Sequence, residues 1–167
     1  AHGASFAETF YRLITDLAAF SGLATENMTR GQGWRFLDIG RRVERTLNTF
    51  ELLRSCLAIP IDPESAVLHA ALEISDSAMT YRSRYGGNLQ TPAVLDLLVT
   101  DESNPRAISF QTARLAKHIE ALPREKSYPF ASREQQFITR LAAEMRLVDT
   151  DSSASVKSIA THNLVSG

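Results

Sequence analysis

Helix start signals are the feature that most constrains how this chain can fold. Three of them are capping boxes, in which a serine or threonine and a glutamate or glutamine three residues later satisfy amide groups of the first turn. Three more place a capping side chain before a proline, whose missing amide hydrogen costs nothing at the first helical position. The six starts are Ser5 with Glu8, Thr29 with Gln32, Ser132 with Gln135, Asp62-Pro63, Thr91-Pro92 and Asn104-Pro105.

Glycine and proline mark the predicted helix ends, because glycine accepts the left-handed conformation after a helix and proline cannot continue one. These signals fall at Gly22, Pro60, Gly86-Gly87, near Thr100 and at Pro123. Together they predict helices near residues 5 to 21, 30 to 59, 63 to 85, 92 to 100, 105 to 121 and 133 to 148. No segment has the alternating β-branched pattern of a strand. We therefore predict an all-α fold, an up-and-down bundle of about six helices with no sheet.

The size and composition of the chain favour one self-sufficient domain. With 167 residues, 44% of them hydrophobic, such a domain buries roughly 70% of the surface that its unfolded chain exposes. We expect a single helical domain at residues 1–148 and a flexible or weakly helical serine-rich tail at 149–167. The formal charge of -1 removes the simplest argument for nucleic acid as a partner. With no apolar run near ~20 residues and no signal peptide, we expect a cytoplasmic protein without a membrane partner.

The second predicted helix has two contrasting faces. At 100° per residue, Phe36, Ile39, Val43, Leu47, Phe50 and Leu57 form one apolar stripe, which we interpret as the core face with Gly40 at its margin. The opposite face carries Trp34, Arg41, Arg45, Asn48 and Leu52. Because large apolar residues share this face with the arginines, we expect it to be covered. The alternative is a solvated face whose ion pairs each contribute ~0.3–0.5 kcal/mol.

The third predicted helix also carries a polar line. Glu73, Asp76, Thr80 and Arg84 follow each other at spacings of three and four, so they share one face. If the two polar lines face each other, they form one candidate polar site: Trp34, Arg35, Asp38, Arg41, Arg42, Glu44, Arg45, Asn48, Glu73, Asp76, Tyr81, Arg82 and Arg84. A further cluster at residues 101–106 is predicted to be a loop and helix cap.

Three collinear motifs resemble a known family. They are ENMTRGQGWRFLDIGRRVERT, LEISDSAMTYRSRY and VLDLLVTDESNPRAISFQ, and they are similar to the bacterial alpha-E domain family, named for its helices and a glutamate-arginine motif that corresponds here to Glu44-Arg45. Family members look about twice this long, so the chain resembles a C-terminal half. The resemblance implies that the far face meets the missing N-terminal half or a second copy in a homo-oligomer. It also implies association with circularly permuted ATP-grasp ligase-like proteins in peptide or amide metabolism.

The residues themselves name no reaction and no cofactor. Di-metal helical bundles use Glu-x-x-His pairs, and none occurs here, so no metal is predicted. Walker loops, dinucleotide fingerprints and nucleophile elbows are also missing from the sequence. Three hypotheses remain open. The chain is a binding or scaffold partner of an ATP-grasp protein, an enzyme whose arginines and carboxylates act on a carboxylate- or phosphate-bearing substrate, or a bundle whose polar ladder only fixes helix register.

Overall fold

The structure, a computed structural model, describes residues 5–58, 64–123 and 131–150. Within these ranges it contains seven α-helices, one π-helical turn and no strand, which confirms the predicted all-α fold for this part of the chain. The predicted signals at Pro60 and Asp62-Pro63 and most of the predicted tail lie outside the described residues. The elements are α1 (Phe6–Asn27), α2 (Gln32–Ala58), α3 (Glu64–Ile74), α4 (Ala78–Tyr85), α5 (Thr91–Leu95), the π-helix (Asp96–Thr100), α6 (Ile108–Glu120) and α7 (Arg133–Arg146).

The chain divides into two compact units, residues 1–38 and residues 39–167. The first unit contains α1 and the first turns of α2. Ser5 caps α1 as predicted, because its Oγ accepts a hydrogen bond from the Glu8 amide at 3.3 Å and the Glu8 carboxylate accepts one from the Ser5 amide at 3.4 Å. The predicted end at Gly22 is wrong, and α1 continues to Asn27. A single interior glycine costs a helix only about 1 kcal/mol, so it need not end one.

The second unit is built around the apolar run that forms α5 and the π-helix. Val94, Leu95, Leu97, Leu98 and Val99 are all buried. Around them the core is completed by residues from α2, α3, α4 and α6, namely Leu53, Leu68, Leu72, Tyr81 and Ile108. In this unit α6 packs against α7 and the π-helix, while α3 packs against α4 and α5. This apolar run is therefore the centre of the core of the second unit.

The single helix predicted at residues 63 to 85 is instead two helices separated by a turn. Asp76 has a φ of 51°, in the left-handed region that a continuous right-handed helix does not enter. The hydroxyls of Ser75 and Ser77 donate to the carbonyls of Leu72 and Ser75, each at 3.2 Å. Serine and aspartate favour such local hydrogen bonds over helix interiors. The Ser-Asp-Ser sequence therefore ends α3 and starts α4 at Ala78.

Two predicted helix starts are also wrong by two or three residues. The Thr29 carbonyl accepts a hydrogen bond from the Gly31 amide at 2.7 Å, which makes a tight turn, and α2 begins only at Gln32. Asn104 closes a turn instead of capping a helix, because its Oδ1 accepts from the Arg106 amide at 3.1 Å. The helix predicted from Pro105 accordingly begins at Ile108. The capping box at Ser132 and the helix end at Gly86 are confirmed.

The core face predicted for α2 is partly wrong. Phe36, Val43 and Leu47 are exposed, whereas Leu53 is buried and Phe50 and Leu57 are half-buried. The inward face runs instead through Arg42, Thr49 and Leu53, which is a rotation of roughly 90° from the predicted stripe at 100° per residue. Hydrogen bonds set this face, because Arg42 and Thr49 both bond to residues more than fifty positions away. No helix in the described ranges is long and apolar enough to cross a bilayer.

Candidate functional site

The loop at residues 101–107, between the π-helix and α6, concentrates polar contacts in the second unit. Arg84 of α4 forms an ion pair with Asp101 through Nη1, and its Nη2 donates to the Ser103 hydroxyl at 2.9 Å. Asp101 Oδ1 also accepts from the Ser103 amide at 2.8 Å and from its hydroxyl at 2.7 Å. Partial burial of Asp101 opposes ionisation, but the hydrogen bonds from Ser103 and Arg84 outweigh it and lower the pKa of this carboxyl. Asp101 is therefore held as a carboxylate.

The same loop reaches three other elements of the second unit. Arg106 Nη2 lies 2.6 Å from Asp76 Oδ2 in the turn between α3 and α4. The Arg106 carbonyl accepts a hydrogen bond from the Thr49 hydroxyl of α2 at 3.3 Å. Glu102 Oε1 lies 2.5 Å from Arg146 Nε of α7. A short loop thus connects elements that are distant in sequence.

Buried amide side chains hold the inner side of the 101–107 loop. Asn104 is buried, and its Nδ2 donates to the Leu97 carbonyl of the π-helix at 2.9 Å. Gln111, which is 0% exposed, donates from Nε2 to the Pro105 carbonyl and accepts at Oε1 from Arg42 Nη1 at 2.9 Å. Buried polar groups need such partners, since an unpaired one costs several kcal/mol of desolvation in an apolar core. The Arg42 guanidinium is therefore part of the internal structure of this unit.

Two tyrosines of α4 are also engaged internally. Tyr81 is 1% exposed, and its hydroxyl donates to the Asn88 carbonyl at 2.9 Å and accepts from the Gln90 amide at 3.1 Å. The Tyr85 hydroxyl donates to Asp96 Oδ2 of the π-helix at 2.5 Å. Burial and the Asp96 carboxylate raise the pKa of Tyr85 to about 12, because both disfavour the phenolate. Both hydroxyls stabilise the connection from α4 to α5 and the π-helix.

Some residues of the predicted polar site form contacts within the second unit, and others are exposed. Asp76 and Arg84 pair with the 101–107 loop, and Glu73 lies 3.7 Å from His69 one turn earlier on α3. None of these partners lies on α2, so these contacts do not join the two polar lines. Arg82, Glu44, Arg45 and Asn48 are exposed, and Arg41 is half-buried. Trp34, Arg35 and Asp38 belong to the first unit, where the Arg30 guanidinium lies 4.5 Å from the centre of the Trp34 ring.

Sequence reasoning missed several residues that organise the second unit. Asp96 interrupts the apolar run at residues 94–99, and this interruption is the signal that marks it as a partner for a polar group, here the Tyr85 hydroxyl. Gln111 has no comparable signal, because an amide on an amphipathic helix looks like a surface residue until its partners are known. The sequence predicts only a loop and helix cap at residues 101–106. Its outward contacts depend on the tertiary fold and not on local sequence.

The chemical groups of the described residues are not arranged as a recognisable catalytic centre. No group of three or more histidine, cysteine, aspartate or glutamate side chains in these ranges is placed to hold a metal ion. An open cavity beside α3 and the start of α5 has no titratable residue in its lining, which consists of Ser65, Leu68, Leu89, Gln90, Thr91 and Pro92. Arg84, Arg106 and Arg146 pair with Asp101, Asp76 and Glu102, while Arg42 bonds to the buried Gln111.

One surface of α2 in the second unit is open. It is formed by Gly40, Val43, Glu44, Leu47 and Asn48, all of which are exposed, and we call it the α2 outer face. At 100° per residue these positions fall within an arc of about 140°. A Cβ placed on Gly40 would meet no atom within 4 Å. The face therefore combines a glycine in open space, two apolar side chains and the glutamate of the Glu44-Arg45 pair.

Comparison with known proteins identifies the family. The family model Alpha-E, described as a predicted alpha-helical domain with a conserved ER motif, matches residues 1–166. Proteins called uncharacterized from Mycobacterium bovis and from two strains of Mycobacterium tuberculosis are each 32% identical to this chain over 142 residues, which is 84% of the chain. The chain spans about 15% of the length of these relatives. No solved structure matches. The chain belongs to the Alpha-E family.

Proposed function

We propose that this chain is a helical binding and scaffold module whose partner is a circularly permuted ATP-grasp ligase-like protein of peptide or amide metabolism. The observation that carries the proposal is the α2 outer face, where Val43 and Leu47 are exposed beside the charged Glu44. Apolar residues rimmed by polar ones are typical of protein interaction surfaces. The ATP-grasp partner is inferred from the family resemblance of the three motifs.

The internal contacts of the polar residues support a binding role over a catalytic one. An active site needs a base or nucleophile that can reach a substrate. Tyr81 is buried with both hydrogen bonds to backbone groups, and Arg84 and Asp76 form ion pairs with the 101–107 loop. These side chains maintain the fold. The side chains of Glu44 and Arg45 are exposed, so a partner can contact them.

The geometry of the α2 outer face suits a partner helix. Gly40 removes a side chain at the N-terminal end of this face, so a second helix backbone can approach closely there. Val43 and Leu47, one turn apart, lie beside that approach on one side and would lose exposed apolar surface on binding. Glu44 offers a carboxylate to an arginine or lysine of the partner, which would fix the register of the complex.

A bulky side chain at Gly40 tests this proposal. Gly40→Leu meets open space within the chain and replaces glycine by a better helix former, so the variant should fold. We expect it to weaken binding to the ATP-grasp protein by about tenfold or more in titration calorimetry, because the added side chain blocks close approach. Ala143→Leu, at an exposed position of α7, is the matched control and should bind like the parent chain.

Charge variants separate binding from catalysis. Glu44→Gln and Arg45→Ala should weaken the complex while leaving the melting temperature nearly unchanged, because both side chains are exposed. Absence of any interaction between the parent chain and the ATP-grasp protein would contradict the proposal. Turnover of amino acid, peptide or nucleotide mixtures that both variants abolish would favour the enzyme hypothesis instead.

A further inference from the structure

A small cavity lies between α3, α4 and the connection that follows α4. Its volume is about 80 Å³, and all of its lining residues belong to the second unit. The cavity is therefore defined within one compact unit. Two of the lining side chains are basic and none is acidic, so the cavity favours an anionic ligand over a cationic one. The lining consists of His69, Leu72, Ala78, Tyr81, Arg82, Gly86, Gly87 and Leu89.

The cavity has an apolar inner side and a basic outer side. The residues of the inner side are buried or half-buried, namely Leu72, Ala78, Tyr81 and Leu89. The residues of the outer side are exposed, namely His69, Arg82, Gly86 and Gly87. Ligand sites commonly combine an apolar lining with a few polar groups that fix the orientation of the ligand. A ligand with a short apolar end and an anionic end matches this arrangement.

The guanidinium of Arg82 can bind the anionic end. Within the part of the chain that the structure describes, it forms no ion pair or hydrogen bond, whereas Arg84 on the same helix pairs with Asp101. An arginine binds a carboxylate through two parallel N–H···O bonds, which fix its orientation. His69 adds an N–H donor from α3. Glu73 lies 3.7 Å from His69 Nε2 but does not line the cavity.

We propose that this cavity binds a small aliphatic carboxylate, with the carboxylate at Arg82 and His69 and the carbon chain on the apolar inner side. A water molecule occupies about 30 Å³ in the liquid, so a volume of about 80 Å³ holds roughly two or three groups of that size. Propionate and the C-terminal alanine of a peptide both carry such a group. The site is separate from the α2 outer face and does not depend on the proposed ATP-grasp partner.

The two glycines leave room for a peptide chain beside the cavity. A Cβ placed on Gly86 or Gly87 would meet no atom within 4 Å, so the space around both residues is open. Without side chains, the backbone at these positions can be approached closely by another main chain. A peptide whose C-terminal residue occupies the cavity can therefore continue past Gly86 and Gly87. Capture of a C-terminal carboxylate is an established mode of peptide recognition.

Titration of the chain with propionate and with N-acetylalanine, followed by ¹H–¹⁵N NMR, tests the proposal. The amide signals of Gly86 and Gly87 should shift and saturate with a dissociation constant of about 1–10 mM, as is usual for so small a ligand. Propionamide has the same shape without the charge and should bind about fivefold more weakly or worse. Benzoate, whose six-carbon ring exceeds the cavity, should also bind more weakly than propionate. Equal binding of both probes supports a peptide C-terminus as the source, and binding of propionate alone supports a free acid.

Substitutions of the two basic residues assign the site. Because both side chains are exposed, Arg82→Gln and His69→Ala should melt within about 1 °C of the parent chain. The dissociation constant for propionate should rise about fivefold or more in Arg82→Gln and about twofold in His69→Ala. Arg133→Gln, at an exposed position of α7 outside the lining, is the matched control and should bind like the parent chain.

Three results would overturn the proposal. The first is a titration that does not approach saturation by about 100 mM propionate, far above the expected dissociation constant. The second is a set of shifted signals that excludes Gly86 and Gly87. The third is an unchanged affinity for propionate in a folded Arg82→Gln variant, since the carboxylate would then be bound elsewhere.

Discussion

Replacing Tyr81 by phenylalanine separates a structural from a catalytic role for this residue of the predicted site. The ring is 1% exposed and packs in the core, so phenylalanine keeps the packing and removes only the hydroxyl. Two hydrogen bonds are lost, one to the Asn88 carbonyl and one from the Gln90 amide. At about 1 kcal/mol for each bond, the free energy of unfolding should fall by about 2 kcal/mol.

This loss converts to a measurable change in melting temperature. For a chain of 167 residues, 1 kcal/mol corresponds to about 2–4 °C, so Tyr81→Phe should melt about 4–8 °C lower. Thermal unfolding followed by circular dichroism or calorimetry measures it. Tyr11→Phe is the matched control, because Tyr11 is exposed on α1 and should melt within about 1 °C of the parent chain. An unchanged melting temperature in Tyr81→Phe, with a loss of any turnover, would refute the structural role.

Three further changes test the electrostatics and the backbone of the second unit. The pKa of Tyr85 is raised to about 12 from about 10 in an unfolded chain. The protonated Tyr85 hydroxyl should therefore stabilise the fold fully below pH ~10, and this stabilisation should be lost as the pH rises through about 12. In absorbance titrations, Asp96→Asn should lower the pKa of Tyr85. The pKa of Asp101 is lowered in the folded chain, so its carboxylate stabilises the fold above the ordinary pKa of an aspartate, and this stabilisation is lost as the pH falls through the folded pKa. In urea unfolding between pH 2 and 6, the free energy of unfolding should therefore fall less on acidification in Arg84→Gln than in the parent chain. Asp76→Val should destabilise by about 1–2 kcal/mol at its left-handed φ, while Asp76→Gly should stay within about 0.5 kcal/mol of the parent chain in the same assay.

The sequence correctly predicted helix ends that depend on interactions between residues close together in the chain. The capping boxes at Ser5 and Ser132 and the end at Gly86 are confirmed because each depends on residues within one turn of the helix terminus. The Ser-Asp-Ser break was missed because a helix-period pattern continues across it. The serine and aspartate side chains nevertheless indicate a turn at this position, since they form local hydrogen bonds that favour turns over helix interiors.

The inward face of α2 and the partners of the polar residues depend on tertiary contacts, which the sequence pattern did not predict. The face that α2 turns inward depends on bonds from Arg42 to Gln111 and from Thr49 to Arg106, and no periodicity in α2 encodes these partners. The partners of the polar line on α3 and α4 depend on tertiary contacts in the same way. Asp76 and Arg84 had equally good sequence reasons to face α2, but the 101–107 loop holds them.

The 101–107 loop has a consequence for how this unit folds. Its hydrogen bonds and ion pairs connect residues 17, 30, 44 and 57 positions apart, and Gln111 extends the network to Arg42, 69 positions away. Contacts between residues so far apart in the sequence form only after the chain has lost much of its conformational entropy. The contacts of this loop should therefore form late in folding, after the helices that they connect. Surface loops usually tolerate inserted residues. A single residue inserted here would shift every one of these partners at once, so this loop should accept length changes less readily than α7.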